Sequence, residues 1–223
     1  MKKILLLCLT LFAISTKAQT ISQIDSLNVV ICKEFQKKTI EPDTTKVQRV
    51  FNEQFYAFAQ KFNIKTDEEF KPVFDRLYFR LQKDCVWFQS FMLKVSNDSE
   101  SWKISQERPV QKAKKKECRK MNGNFYYLEP SEGSKTKVVV TENSWTETFV
   151  DGTYSKCKLT WTKDCEFTLE FLESNNHVRQ NLSVKGDKYY YGISEIASNG
   201  TFKCWVRVRD TDPYQTFEVI PDK

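Results

Sequence analysis

From Ile21 to about Val95, apolar side chains recur at steps of three and four. Ile24, Leu27, Ile31 and Phe35 form one stripe, and Val47, Phe51, Phe55, Phe58 and Phe62 form a second. Phe70, Phe74, Leu77, Leu81, Cys85, Phe88 and Met92 form a third. This spacing keeps each set on one face of a helix, so the segment predicts three amphipathic helices packed stripe against stripe. Pro42 and Asp43 separate the first two, with Asp43 the expected N-cap of the second; Thr66 followed by Glu69 predicts a capping box opening the third. Pro72 lies past the first turn of that helix and is expected to kink it or delay its start. The many phenylalanines read as the bundle's own core, because each stripe has to bury its face against something.

After residue 122 the period changes to two. Strands are expected through Phe125 and Tyr127, over Lys135–Thr141, through Trp145, Glu147 and Phe149, over 155–162, and over 165–173. Three more run through Tyr189, Tyr191 and Ile193, through Phe202 to Val208, and through Phe217 and Val219. Turn residues separate them, with Asp151-Gly152 and Asn199-Gly200 the strongest hairpin signals. The most regular stretch is Trp161 to Phe171, where Cys165, Phe167, Leu169 and Phe171 share one face and Glu166, Thr168 and Glu170 the other. About eight strands joined in order by tight turns predict an antiparallel meander, closed into an up-and-down barrel or left as a curled sheet. A two-sheet β-sandwich is the alternative. The expected fold class is α+β, a three-helix bundle followed by an antiparallel β meander. If Trp161 faces Cys165 across the central turn, Cys157 faces Leu169 and Lys156 faces Glu170. Cys157 and Cys165 are then roughly 13 Å apart, too far for a disulfide, whose Cα atoms lie within about 7 Å.

Between the two patterns, residues 96–117 are polar and then basic. Lys112, Lys114, Lys115, Lys116, Arg119 and Lys120 stand against the single acid Glu117. The run reads as a solvated linker, with Trp102 and Pro109 pointing to partial order, and divides the chain into a helical domain (19–95), a basic linker (96–117) and a β domain (118–223). The sharper alternative is a patch for acidic glycans, phosphates or nucleic acid. Few aromatic residues interleave with the lysines, so base stacking is not indicated.

The start of the chain has the form of an export signal. Lys2 and Lys3 precede an apolar run from Ile4 to Ile14, and Thr16-Lys17-Ala18 supplies small residues for cleavage after Ala18. The run is too short to span a bilayer. Cys8 lies inside it, without the small residues that precede a lipoprotein cysteine, so no lipid anchor is expected. Loss of residues 1–18 lowers the formal net charge from +6 to +3. That small excess gives no electrostatic case for a nucleic-acid partner. The chain is expected to be exported, periplasmic or secreted, and not membrane-spanning.

Six cysteines follow the signal: Cys32, Cys85, Cys118, Cys157, Cys165 and Cys204. In an oxidising compartment an even number points to bridges. Cys32 lies on the first helix beside its apolar stripe and Cys85 within the third stripe, and a bridge between them would tie those helices together. No CxxC is present.

The β half resembles a group of small, largely uncharacterised exported proteins of Bacteroidetes bacteria with a lipocalin-like strand pattern. The parts that carry the resemblance are Cys118 with Gly123-Asn124-Phe125-Tyr126, and Trp161 with Asp164-Cys165-Glu166-Phe167-Thr168-Leu169. It covers roughly 118–219 and departs at Lys137-Val138-Val139-Val140, where the group has a charged, Thr/Ser-rich strand. It implies a Cys118–Cys165 bridge. Cys157 and Cys204, both on apolar faces, are left either to bridge each other or to remain buried thiols.

Little in the sequence points to catalysis. His177 is the single histidine, and it follows Ser174-Asn175-Asn176 in a polar stretch with no nucleophile turn nearby. Glu166 and Glu170 are a conceivable acid pair but belong to the wet face of their strand. No phosphate loop or metal-ligand spacing is present, and no cofactor is expected. Tyr190 and Trp205 point away from the apolar set, which predicts an exposed aromatic surface. The expected function is therefore that of an exported, non-catalytic binding protein of the bacterial envelope, whose partner is an unknown small ligand or an envelope protein. A structural or protein–protein module without a small ligand is the alternative, and a hydrolase the third. A large apolar cavity in the β half would favour the first; an interior filled by Phe167, Leu169, Phe171, Phe202 and Val206 would favour the second.

Overall fold

The computed structural model describes residues 20–95, 101–130 and 133–222. The expected signal peptide, residues 1–18, lies outside them. Helices α1 (Ile21–Gln36), α2 (Asp43–Lys61), α3 (Asp67–Asp84) and α4 (Val86–Val95) form the N-terminal half. Their stripes converge on one core in which Ile31, Phe35, Val50, Leu77 and Leu81 are fully buried. Phe35 stacks on Trp87 at 4.9 Å and on Phe88 at 5.6 Å, while Phe55 meets Phe70 and Phe74 edge-on.

Three local expectations are corrected. The third stripe is two helices, because Cys85 takes an extended conformation (φ −119°, ψ 103°) and is bonded to Cys32 of α1, with Cα atoms 5.5 Å apart. Pro72 does not delay the start of α3, which runs from Asp67 through the proline to Asp84. Its lost hydrogen bond falls on an exposed turn where water can replace the missing donor, and the Thr66–Glu69 capping box fixes the start upstream of it. Asp43 is the first residue of α2 rather than its N-cap, which is Pro42.

The C-terminal half is a closed antiparallel barrel. Strands β2 (Gly123–Leu128), β3 (Lys135–Val140), β4 (Ser144–Thr148), β5 (Tyr154–Trp161), β6 (Glu166–Ser174), β7 (Lys188–Ile196), β8 (Phe202–Arg207) and β9 (Tyr214–Pro221) pair in chain order. Closure comes from β9, which pairs with β8 on one edge and with β2 at Phe125↔Pro221 and Tyr126↔Ile220 on the other. The meander is thus the barrel alternative, and neither a curled sheet nor a sandwich. Gly152 (φ 80°) and Gly200 (φ 88°) hold the two strongest hairpin turns in the left-handed region, as Asp-Gly and Asn-Gly pairs do.

Two expectations about the β half change. Of the linker, residues 96–100 lie outside the described residues, and 101–117 are more ordered than the partial order expected around Trp102 and Pro109. Lys103–Ser105 form a strand, β1, on the part of β9 that β2 leaves unpaired. Further on, the Lys112 and Ala113 amides donate to Ser194 O, and the short helix α5 (Lys115–Cys118) follows. The backbone is pinned while the side chains of Lys112, Lys114, Lys115 and Lys116 stay in water. The central hairpin is shifted by two residues from the expected register: Trp161 faces Phe167, Leu159 faces Leu169, Cys157 faces Phe171, and Glu170 faces Lys158 rather than Lys156. The cause is a wider turn, closed by Thr162 N–H to Glu166 O, which leaves Cys165 in the turn. Past a bulge at Lys156, that lysine pairs with Glu173.

Cys165 in that turn is bonded to Cys118 of α5, as the resemblance implies, with Cα atoms 5.4 Å apart. Cys157 and Cys204 are buried free thiols. Two disulfides, and no helix among the described residues long and apolar enough to cross a membrane, are compatible with an exported protein.

The halves meet through α6 (His177–Leu182), a short helix in the polar stretch that connects β6 to β7. Asn176 caps it by accepting from the Val178 and Arg179 amides. On its outer side Arg76 of α3 donates to Gln180 O, and His177 Nε2 lies 3.1 Å from Asp75.

Candidate functional site

The barrel interior is packed. Phe167, Leu169, Phe171, Phe202 and Val206 are all buried in one core with Ile193, Cys204 and Val219. An aromatic series crosses it. Trp102 stacks on Phe217 at 4.3 Å, Phe217 meets Tyr191 edge-on, Tyr191 stacks on Phe167 at 5.3 Å, and Phe167 lies against Trp145. At one end, Arg179 of α6 reaches inward and closes the core. Its guanidinium donates to Tyr127 Oη (2.7 Å), Glu129 (2.9 Å) and Glu147 (3.3 Å), and Thr136 and Trp145 add hydrogen bonds to the same carboxylates. Burial works against the charge on Arg179, but Tyr127 and the two carboxylates outweigh it and hold the guanidinium protonated. Burial also pushes the Cys157 thiol up to about 12 and raises Cys204, which leaves both unreactive.

The residues singled out from sequence are not brought together. Tyr190 is exposed (42 %), on the outer face of β7. Trp205 is not exposed; it is 2 % accessible. It does stand on the outer face, as its alternation requires, but it faces Gly192 on β7, where a Cβ would lie 2.3 Å from the indole ring. Tyr214 packs edge-on against the indole at 5.2 Å, and Arg108, carried by the ordered segment after β1, covers it at 5.4 Å. A missing side chain opposite Trp205 and a strap outside it therefore bury what alternation alone would expose. Glu166 pairs with Arg108, and Glu170 lies 3.8 Å from Lys188, so each is a paired charge on the outer wall. His177 faces Asp75 and the Phe79 ring.

A concave site lies instead where the helical half meets the barrel. Asp25, Asn28, Val29, Cys32, Lys33 and Gln36 of α1 recur at steps of three and four, so they form a second stripe beside the core stripe. Facing them are Arg80, Lys83 and Asp84 at the end of α3, Asp187 before β7, and Arg209 after β8. Together they enclose a cleft of about 580 Å³. Its floor is charged and buried: Arg80 is 5 % and Lys83 7 % exposed. Arg80 holds Asp25 through both Nε and Nη2 (2.9 Å for the second) and donates to Leu182 O at 3.4 Å. Lys83 donates to Asp187 at 2.6 Å. Arg209 pairs with Asp212 and donates to the Lys83 and Asp84 carbonyls at 3.1 and 3.0 Å, capping the C-terminus of α3.

These pairings set the protonation states. Burial opposes the charge on Asp187, but hydrogen bonds from Lys83 and the Val184 amide outweigh it and hold the carboxyl below the usual carboxylate range. Asp84 behaves oppositely. Burial pushes its carboxyl up because its cations stand off, Arg80 and Arg209 at 3.8 Å and Lys83 at 3.9 Å. Asn28 is different again. It is 3 % exposed, and neither its Oδ1 nor its Nδ2 has a hydrogen-bond partner.

Compared with known proteins, the chain matches no protein-family model and no curated protein. The site therefore rests on its own geometry. Among the described residues, no group of three or more His, Cys, Asp or Glu side chains is placed to hold a metal ion. A smaller groove of about 360 Å³, lined by Gln36, Asp43, Val86, Trp87, Ser90, Phe91 and Lys94, contains among the described residues no buried polar side-chain atom without a partner. The α1–α3 cleft is not legible in the sequence because its lining comes together only when α1, α3 and two barrel loops meet. The available signal was the polar stripe Asp25, Asn28, Lys33, Gln36 alongside the apolar one.

Proposed function

We propose that the protein is an exported, non-catalytic binding protein of the bacterial envelope whose ligand sits in the cleft between α1, α3 and the barrel, not in the barrel mouth. The observation that carries this reading is Asn28, which lines the cleft and whose buried carboxamide has no hydrogen-bond partner. An unmade hydrogen bond on a buried group costs about 1–3 kcal/mol. Such groups are rare enough in folded proteins to call for a reason, and a ligand supplies one. The packed interior argues against a lipocalin-like ligand chamber. A non-catalytic role is supported by the inert thiols, the paired glutamates and the engagement of His177 with Asp75. Export is supported by the N-terminal pattern of residues 1–18 and by the two disulfides, and the Bacteroidetes resemblance fits the same origin. The filled barrel favours a second reading, an envelope interaction module in which both halves serve a protein partner.

Native mass spectrometry of the protein purified from its source cells separates the two. A small retained mass, absent from an Asn28→Leu variant, is expected. A retained protein partner with no small adduct would favour the interaction module instead. The same preparation should begin at Gln19.

A further inference from the structure

We infer that the cleft recognises a short peptide, held by the backbone amide groups of one residue against the Asn28 carboxamide; this rests on the cleft being the binding site. Asn28 lines the cleft, and its carbonyl oxygen and amide N–H are both unpartnered and covered by neighbouring atoms, so the side chain turns toward the cleft to meet a ligand. The complementary group must offer one donor and one acceptor at matching separation. A residue of an extended peptide does so, because its N–H and C=O point to the same side of the chain.

The remaining lining narrows the class. The three buried or capping cations are already engaged, Arg80 with Asp25, Lys83 with Asp187, and Arg209 with Asp212. Three aspartates also line the cleft, so a phosphate dianion would meet more fixed negative charge than free positive charge. Among the described residues no aromatic ring lines it to cover the apolar face of a sugar. What stays available is one charge of each sign. Lys33 is exposed at the rim and makes no ion pair among the described residues, and Asp84 is held only by cations 3.8–3.9 Å away. A peptide with free termini answers both, its carboxylate at Lys33 and its ammonium at Asp84. The volume falls within the range of about 300–1,000 Å³ typical of clefts that enclose small ligands.

The experiment incubates the purified protein with a random-sequence tripeptide pool, the same pool acetylated and amidated at its ends, maltotriose, and inorganic phosphate. Adducts are read by native mass spectrometry and melting by thermal shift. The free-ended pool is expected to give adducts and to raise the melting midpoint. Asn28→Leu should weaken binding at least tenfold while melting no lower than the wild type, because it removes an unpaired polar group from a buried place. Lys33→Gln, on the exposed rim, should weaken the free-ended pool and leave the blocked pool unchanged. Peptide adducts undiminished by Asn28→Leu would overturn the assignment. Adducts with maltotriose or phosphate alone, lost in Asn28→Leu, would overturn the peptide class and leave the cleft standing. No adduct with any probe, together with no retained mass in the native preparation, would sink both.

Discussion

At the scale of single residues, two positions decide more than their neighbours. Gly192 decides the fate of Trp205. With hydrogen in place of a side chain, β7 lets the indole lie flat on the outer wall, and Arg108 and Tyr214 close over it. Gly192→Ala is therefore expected to destabilise the protein by about 1–3 kcal/mol, since the ring must move out of a packed place. Chemical denaturation followed by tryptophan fluorescence would show it, and an unchanged midpoint would mean that the strap is loose. Asn28 decides the functional reading, because its carboxamide is buried without a partner. Both were hard to read from sequence for the same reason. A period-two or period-3.6 pattern says which way a side chain points but not what arrives from elsewhere to cover it. The thiols are the opposite case. Cys157 and Cys204 were placed on apolar faces by alternation, and the faces turned out to be the barrel interior.

At the scale of elements, the helical stripes, the capping box at Thr66, the strand series and the Cys32–Cys85 bridge were legible, because each rests on local chemistry or on the compartment, whereas the Cys118–Cys165 bridge was implied only by the resemblance. What was not legible depended on contacts distant in sequence. The split of α3 from α4 follows from Cys85 leaving helical geometry where it meets Cys32. The order in 101–117 follows from pairing with β9 and β7, and α6 is a short capped helix hidden in a polar stretch. The contact between α3 and the β6–β7 connection has a pH signature. Asp187 is held below its ordinary pKa in the fold, so the unfolded chain takes up the proton first. Its contribution is complete above about pH 4 and is lost as pH falls through the lower folded value. Asp84, pushed up by burial, acts in the other direction and gains stability on protonation. Asp187→Asn should cost about 1–3 kcal/mol at neutral pH by leaving Lys83 with Asp84 alone, 3.9 Å away. The variant should also lack part of the acid-induced loss seen in the wild type. A variant whose stability–pH curve parallels the wild type would show that Lys83–Asp187 does not join the halves.

At the scale of the whole molecule, the architecture sets a packed barrel beside a helical bundle and leaves the open space between them. The closed barrel removes free strand edges, β1 extends its closing strand, and Arg179 fills one end. A barrel so filled serves as a rigid wall, whereas the cleft draws its lining from α1, α3 and two barrel loops and depends on all of them. The α+β division was legible in the change of period near residue 120. The site was not, because it belongs to neither half alone. Hydrogen exchange read by mass spectrometry, on the protein as isolated and after denaturation and refolding to strip any bound solute, tests that division of labour most directly. The expected result is protection in the isolated form confined to α1, the end of α3 and the loops carrying Asp187 and Arg209, and lost on stripping. Protection confined to the strands lining the barrel, or none that distinguishes the two forms, would contradict it.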